Sequence, residues 1–242
     1  MNARITLLGH ATVKLTLPDG RVLIIDPWLT DNPACPDELK TPDRCDMILL
    51  THGHADHVGD VERLVKAHDP WVVANFDLCA VFQKRTGGER YRPMNTGGTQ
   101  TIDGVRISLT QAFHSSGVDF GDGMIYGGMP NGLVVGFEGL APLYHAGDTD
   151  VFSDMHLIAR LFAPKIALLP IGDHFTMGAK GAALAAEMLG ANSIIPIHYK
   201  TFPVLAQSAD AFVDALLVPL RSTVIVPEVG QELGWTFEGV AV

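Results

Sequence analysis

Residues that could form disulfides or a basic surface are scarce in this chain. It contains three cysteines in 242 residues, Cys35, Cys45 and Cys79, and no two of them form a C-x-x-C pair. Lys and Arg together number 17 against 27 Asp and Glu, which gives a formal net charge of −10. The few cysteines exclude a small disulfide-stapled fold. The few basic residues argue against a positively charged surface that binds the phosphate backbone of a nucleic acid. Long nucleic acids are therefore not expected as partners.

Long apolar runs are also missing. Runs such as Ile166–Pro170 fall far short of the roughly 20 residues that a membrane span requires. The first ten residues, MNARITLLGH, carry no long apolar segment of a secretory signal, so we expect a cytoplasmic protein with no membrane partner. Because 47% of the residues are apolar, the chain can fill one large core, and we expect residues 1–242 to form a single domain.

The order of apolar segments predicts an α/β protein with two sheets. Three short strand patterns, Ile5–Leu8, Val13–Leu17 and Val22–Ile25, open the chain, and a buried strand follows at Met47–Leu50. A helix is predicted from Asp56 to about His68, and a long loop over Ser115–Gly132. Further helices are predicted at Asp77–Lys84, Val151–Phe162, Ala179–Leu189 and Gln207–Leu217, alternating with strands that include Ile194–Ile197 and Thr223–Val226. This order fits a four-layer αββα sandwich better than a doubly wound fold, which would begin with a β-α-β unit.

One six-residue window concentrates metal-binding side chains. The sequence THGHADHVGD places His52, His54, Asp56 and His57 between the buried strand and the next helix. Imidazole nitrogens and carboxylate oxygens hold Zn²⁺, Mn²⁺ and Fe²⁺ in proteins. The competing interpretation, in which Asp56 only caps the helix and the histidines lie on the surface, leaves three closely spaced histidines unexplained.

Three further candidates stand where strands are predicted to end. His114, Asp148 and His198 each follow an apolar strand segment, and ligand sites in α/β proteins collect at strand carboxyl ends. Together with the THGHADH window, they form a set large enough for two metal ions, with one carboxylate able to bridge them.

These motifs, in this order, resemble those of the metallo-β-lactamase superfamily. The resemblance rests on THGHADHVGD, His114, AGDT at 146–149 and PIHY at 196–199. The segments LGHAT at 8–12, AFHSSG at 112–117 and LPIGDHFTMG at 169–178 are similar, more narrowly, to hydrolases related to ascorbate-6-phosphate lactonase. The resemblance implies the metallo-β-lactamase fold. It also implies that His52, His54 and His114 hold one metal, that Asp56, His57 and His198 hold a second, and that Asp148 bridges them.

The activity implied is that of a dinuclear metal-dependent hydrolase. A metal-bridging hydroxide would cleave a small ester or lactone, with or without a phosphate group. In the related lactamases a cysteine occupies a position of the second metal site, and the histidine after the motif aspartate is absent. Because His57 is present here, β-lactam hydrolysis is not expected as the main activity. A phosphodiesterase or small nuclease is the alternative enzyme, and a metal-dependent binding protein without turnover is a third interpretation. Zinc is the first expectation for the metal, with manganese or iron as alternatives.

Other residues are expected to assist the ligands. Asp56 is the candidate proton acceptor, and His174 is the candidate acid for the leaving group. Asp26 and His10 are expected to orient metal-binding side chains rather than to bind metal themselves. The candidates to contact an anionic small-molecule substrate are Thr176, Lys180, Tyr199 and Lys200. A homo-oligomer is compatible with the sequence.

Overall fold

Two mixed β-sheets, a separate two-stranded sheet and six helices form the structure, a computed structural model that describes residues 2–121 and 123–241. The strands are β1 (Arg4–Leu7), β2 (Val13–Thr16), β3 (Val22–Ile25), β4 (Met47–Leu49), β5 (Trp71–Asn75), β6 (Tyr91–Met94), β7 (Thr99–Ile102), β8 (Val105–Gln111), β9 (Gly117–Asp119), β10 (Met124–Tyr126), β11 (Asn131–Gly136), β12 (Leu143–His145), β13 (Ile166–Pro170), β14 (Ser193–Ile197), β15 (Glu232–Trp235) and β16 (Val240–Ala241). The helices are α1 (Ala55–Val58), α2 (Val61–His68), α3 (Phe76–Thr86), α4 (Met155–Phe162), α5 (Ala179–Leu189) and α6 (Asp210–Ala215). Short 3₁₀ turns occupy Asp37–Leu39 and Val218–Thr223.

The sheets pack face to face, and helices cover their outer faces. The larger sheet has the order β16-β15-β1-β2-β3-β4-β5-β6, and the smaller one has the order β14-β13-β12-β11-β8-β7. Residues such as Leu15, Leu49, Leu109 and Leu168 fill the space between the sheets. Alternate residues on the strands point outward, where α1 to α3 pack on one sheet and α4 to α6 on the other. The predicted αββα sandwich is confirmed.

Four local predictions differ from the structure. The helix predicted from Asp56 to His68 is interrupted at Gly59 and Asp60, so that α1 and α2 are separate. The predicted loop 115–132 contains the β9–β10 hairpin, whose three-residue strands are too short to give an alternating pattern. The predicted strand Thr223–Val226 is a 3₁₀ turn followed by a single bridge from Val224 to Ile194. The helix predicted from Val151 begins only at Met155.

The direction of the strands places many of their ends at one edge of the sandwich. In the larger sheet β3, β4, β5 and β6 are parallel, and in the smaller sheet β12, β13 and β14 are parallel. Strand β8 runs in the same direction as β12, because both are antiparallel to β11. The loops that leave these strands therefore meet along a single edge, where ligands bind in α/β folds.

The three cysteines are buried separately in the layer between the larger sheet and its helices. Burial raises the pKa of Cys35 to about 11 and the pKa values of Cys45 and Cys79 to about 12. They are therefore protonated at neutral pH and unsuited to act as nucleophiles or metal ligands. Among the described residues, no helix has both the length and the apolar character needed to cross a membrane.

The break between α1 and α2 gives a test of the fold. The buried Asp60 carboxylate accepts hydrogen bonds from the Leu29 and Thr30 amides at 2.5 and 2.9 Å, and it also pairs with Arg63. Asp60→Ala leaves these amides without an acceptor, so we expect a loss of about 3 kcal/mol in the free energy of unfolding, measured by urea denaturation. Glu62→Ala, which removes only a surface pair with Arg85, is the control and should change it by less than about 1 kcal/mol. Equal effects of the two substitutions would contradict this account.

Candidate metal centre

All seven residues predicted as metal ligands meet at the edge where the strands end. His52 and His54 follow β4, and Asp56 and His57 lie in α1 directly after them. His114 follows β8, Asp148 follows β12, and His198 follows β14. The two sheets therefore contribute to one cluster, and each loop leaves its strand within a few residues of the side chain that it positions.

Three histidines form the first donor group. The ligand atoms of His52, His54 and His114 lie within 4.8 Å of one another. His52 Nε2 and His54 Nδ1 are 3.0 Å apart, close to the separation of about 3.3 Å between two nitrogens bound to one tetrahedral zinc ion. The three ligand atoms thus lie together, in the grouping that the resemblance to the metallo-β-lactamase superfamily implied.

The second donor group contains one residue more than expected. Asp56, His57 and His198 lie together, and His10 joins them, with its ligand atom within the same 4.8 Å. The sequence predicts an orienting role for His10, and its contacts agree. His10 Nε2 lies 3.1 Å from Asp56 Oδ2, and since a carboxylate only accepts, the imidazole donates. The Thr201 hydroxyl, 2.9 Å from Nδ1, holds the other side of the ring.

Asp148 stands between the two groups. Its Oδ2 atom lies 3.0 Å from His198 Nε2 and 3.4 Å from His57 Nε2, both in the second group. The same oxygen lies 3.6 Å from His114 Nε2 and 3.9 Å from His52 Nε2, both in the first group. A single buried carboxylate therefore faces imidazoles from both groups.

The electrostatics of the cluster follow from burial and from these close contacts. Burial alone would raise the pKa of Asp148, but the charges of His57 and His198 hold it well below its usual value. Burial alone would lower the pKa of His57, but the carboxylates of Asp148 and Asp26 raise it well above its usual value. Burial lowers the pKa of His52, and it does the same for His54 and His114. Most of the histidines are therefore neutral at pH 7, the form that binds metal.

Hydrogen bonds outside the cluster fix which nitrogen of each ring faces inward. The Asp26 carboxylate accepts from His57 Nδ1 at 2.8 Å and from the Thr51 hydroxyl at 2.6 Å. Because the Thr51 hydroxyl donates its proton to Asp26, its oxygen can only accept from His52 Nδ1, which lies 2.9 Å away. The inner Nε2 atoms of His52 and His57 are thereby left free to act as ligands. These contacts are the ones expected if Asp26 orients the histidines, and its role stays a prediction.

Ser115 plays the same part for His54, and the sequence did not single it out. Its hydroxyl lies 3.1 Å from His54 Nε2, which leaves Nδ1 directed to the first donor group. Its role could have been predicted from its position next to His114, because the loop that places His114 in the site also places Ser115 there.

The backbone around the cluster is strained. His10 and His198 have φ values of 56°, and Asp26 has a φ of 47°, in the left-handed region that costs non-glycine residues energy. The His198 amide donates to the His10 carbonyl at 2.9 Å, so two of these residues support each other. Gly172 is required beside them, because a Cβ atom there would overlap the His198 carbonyl oxygen.

The residues present suit divalent cations. His57 Nε2 and Asp148 Oδ1 are buried and have no hydrogen-bond partner among the described residues. Such orphaned donors and acceptors are costly unless a ligand satisfies them. The cluster consists of imidazole nitrogens and carboxylate oxygens alone, a donor set suited to Zn²⁺, Mn²⁺ and Fe²⁺.

Among the other predicted site residues, His174 lies beside the cavity of the cluster, whereas Tyr199 and Lys200 line a different cavity. A cavity of about 250 Å³ opens onto the cluster, and Phe175 and Ser115 complete its lining. His174 is exposed and sits edge-on against Phe175, with 4.5 Å between the ring centres. Tyr199 and Lys200 line a separate narrow cavity together with Glu228. Larger surface cavities exist, but the donor set identifies this one as the site.

With this geometry in place, comparison with known proteins gives the family. A family profile described as the beta-lactamase superfamily domain matches residues 21–199. The chain belongs to the metallo-β-lactamase superfamily. The UPF0173 metal-dependent hydrolase of Koribacter versatilis is 47% identical over 202 residues, which cover 84% of this chain and 86% of the relative. The one from Rubrobacter xylanophilus is 46% identical over 233 residues, which cover 96% of each chain.

A solved structure of this superfamily gives the same result. Igni18, a metallo hydrolase from the hyperthermophilic archaeon Ignicoccus hospitalis, superimposes with a TM-score of 0.83 at 33% identity. The match covers 96% of this chain and 97% of that one. The protein is therefore a metal-dependent hydrolase of the metallo-β-lactamase superfamily. The narrower relation to ascorbate-6-phosphate lactonase stays a prediction.

The burial of His10 gives a pH-dependent prediction for the metal-free protein. Burial lowers the pKa of His10 from 6.5 to about 4, although the hydrogen bond to Asp56 alone would raise it. The unfolded chain therefore binds a proton at this ring more readily than the folded chain, and stability is lost as the pH falls from 6.5 toward 4. His10→Asn removes this contribution, which is roughly 3 kcal/mol at most, and asparagine tolerates the left-handed backbone.

Urea denaturation in the presence of a chelator, at several pH values between 6.5 and 4.5, measures this effect. The variant should show a weaker decline of stability with acid than the wild type. A His156→Asn control, at an exposed position on α4, should keep the wild-type decline. Parallel declines for the His10 variant and the wild type would contradict the assignment.

Proposed function

We propose that this protein is a dinuclear hydrolase that cleaves a small ester or lactone. The observation that carries the proposal is the position of Asp148, whose carboxylate faces imidazoles of both donor groups within 3.9 Å. In this proposal His52, His54 and His114 hold one ion, Asp56, His57 and His198 hold the other, and Asp148 contacts both. Zinc is the metal we expect first, and manganese or iron would suit the same ligands.

When bound by these residues, the metal would supply Lewis acidity for activating water at neutral pH and for polarising the bond to be cleaved. The chain's own residues fix where this occurs. Asp56 lines the cavity and is held at Oδ2 by His10, so its carboxylate has a set orientation toward the substrate space. Although burial opposes it, the hydrogen bond from His10 lowers the pKa of Asp56, which keeps the carboxylate ionised at neutral pH, the form that binds a metal ion.

The cavity itself supports a small substrate. Its volume of about 250 Å³ is below the range of pockets that enclose drug-sized ligands. His174 lies next to Phe175, which lines this cavity, and is the candidate to donate a proton to the leaving group. The proton-donating role of His174 rests on this neighbourhood and on the chemistry of imidazole.

Metal content tests the two donor groups separately. After dialysis against zinc, we expect the wild type to hold two ions per chain, measured by mass spectrometry of the metal. His114→Ala and His198→Ala each remove one ligand from a different group, so each variant should hold about one ion. The exposed His156→Ala variant is the control and should hold two. One ion per chain or fewer in the wild type would rule out the dinuclear site.

A substrate panel tests the reaction. Metal-loaded enzyme should hydrolyse at least one neutral or phosphorylated ester or lactone, lose this activity on chelation and regain it when metal is added back. Faster turnover of bis(p-nitrophenyl) phosphate than of any ester or lactone would instead indicate a phosphodiesterase.

The His174→Ala variant tests the candidate acid. If His174 protonates the leaving group, the variant should lower kcat by about 100-fold, and full turnover would remove that role.

A further inference from the structure

The residues that line the active-site cavity indicate whether the substrate is charged or neutral. Five of its members belong to the proposed metal centre, and the other two are Ser115 and Phe175. No lysine or arginine is among these lining residues, in the part of the chain that the structure describes. The two lysines expected to hold an anionic substrate do not line this cavity. Lys200 lines a different cavity together with Glu228, and Lys180 is exposed on α5.

Bound metal ions would lie among carboxylates, which would reduce their attraction for an anion. Asp56 lies in one donor group, Asp148 faces both groups, and Asp26 is hydrogen-bonded to His57. Three carboxylates therefore offset most of the charge that two divalent cations would bring. The chain as a whole carries a net charge of −10, which repels anions at longer range.

Phe175 is the apolar element of this cavity, and its loop holds it in place. On one side of the loop, the Ile171 amide donates to the Ile197 carbonyl at 3.1 Å. On the other side, the buried Met177 donates to the Thr149 carbonyl at 2.9 Å and packs in the core. The phenyl ring between these anchors is 54% exposed and lines the cavity, so it offers an apolar surface beside the metal centre.

We propose that the enzyme prefers a neutral ester or lactone that carries an aromatic or bulky apolar group, which packs on Phe175. This inference rests on the proposed hydrolase function and specifies its substrate class. An aromatic ring on the substrate would stack on Phe175 or meet it edge to face while the scissile group lies at the metal centre. A phosphate on that ring would instead be placed at a rim with no cationic partner.

Matched substrates test the preference. With the metal-loaded enzyme, kcat/KM is measured for ethyl phenylacetate, for its 4-phosphorylated derivative and for ethyl acetate. We expect the neutral aromatic ester to be favoured by at least tenfold over the phosphorylated one and over ethyl acetate. Phe175→Ala should raise KM for ethyl phenylacetate by about threefold to tenfold and leave ethyl acetate within twofold. Phe237→Ala, which removes a phenyl ring that is 69% exposed in the turn after β15, is the control and should change neither.

A binding measurement separates this inference from the proposed function. Saturation-transfer NMR with phenylacetamide, which is hydrolysed far more slowly than an ester, should show weaker binding to Phe175→Ala than to the wild type or Phe237→Ala. If no ester or lactone is hydrolysed, the proposed function fails, and this binding difference alone still decides the role of Phe175. Preference for the phosphorylated ester, or equal effects of the two substitutions in either assay, would overturn the inference.

Discussion

The buried carboxylate of Asp148 is the constraint on which the site depends. It is 3% exposed and faces four imidazole nitrogens that come from loops of both sheets. A buried charge of this kind is costly unless opposite charges and hydrogen bonds surround it. The arrangement around Asp148 therefore requires cations, whether protons on histidines such as His57 in the metal-free protein or metal ions in the active one. Because metal binds the folded site and not an unfolded chain, loading it also stabilises the fold.

Much of the surrounding structure serves to hold this arrangement. The parallel strands of both sheets bring their ends to one edge, and three residues beside the cluster adopt left-handed backbone conformations. Gly147, with a φ of 64°, allows the loop before Asp148 to approach closely, since a Cβ atom there would lie 2.7 Å from the Asn131 carbonyl. Such strain is maintained only where packing determines the conformation, and the two-sheet core provides that packing.

Parts of this site could be predicted from sequence because they are local. The THGHADH window places four donors within six residues, and a strand end fixes their neighbourhood regardless of the remaining fold. His114, Asp148 and His198 could be predicted because each follows an apolar run, and the parallel strands then bring those ends together. The resemblance to the metallo-β-lactamase superfamily joined these segments into one site, which spacing alone could not have done.

Other features could not be predicted because they depend on long-range packing. An orienting role for His10 was predicted, but its partner Asp56 was not, because the two residues lie 46 positions apart in sequence and meet only in the folded chain. The left-handed φ of 68° at Lys200 accompanies the turn after His198, and its side chain lines another cavity rather than the site. Phe175 lies in an irregular loop, where residue patterns do not specify direction. Its place in the cavity follows from the two anchors at Ile171 and Met177.

The central claim, that Asp148 joins two metal ions, is tested most directly by anomalous diffraction from crystals of the zinc-loaded protein. Data collected on both sides of the zinc edge locate the ions independently of the protein atoms. We expect two anomalous peaks about 3.5–4 Å apart, one beside His52, His54 and His114 and one beside His57 and His198, with the Asp148 carboxylate contacting both. A single peak at full occupancy, or two ions without Asp148 as a shared ligand, would contradict it.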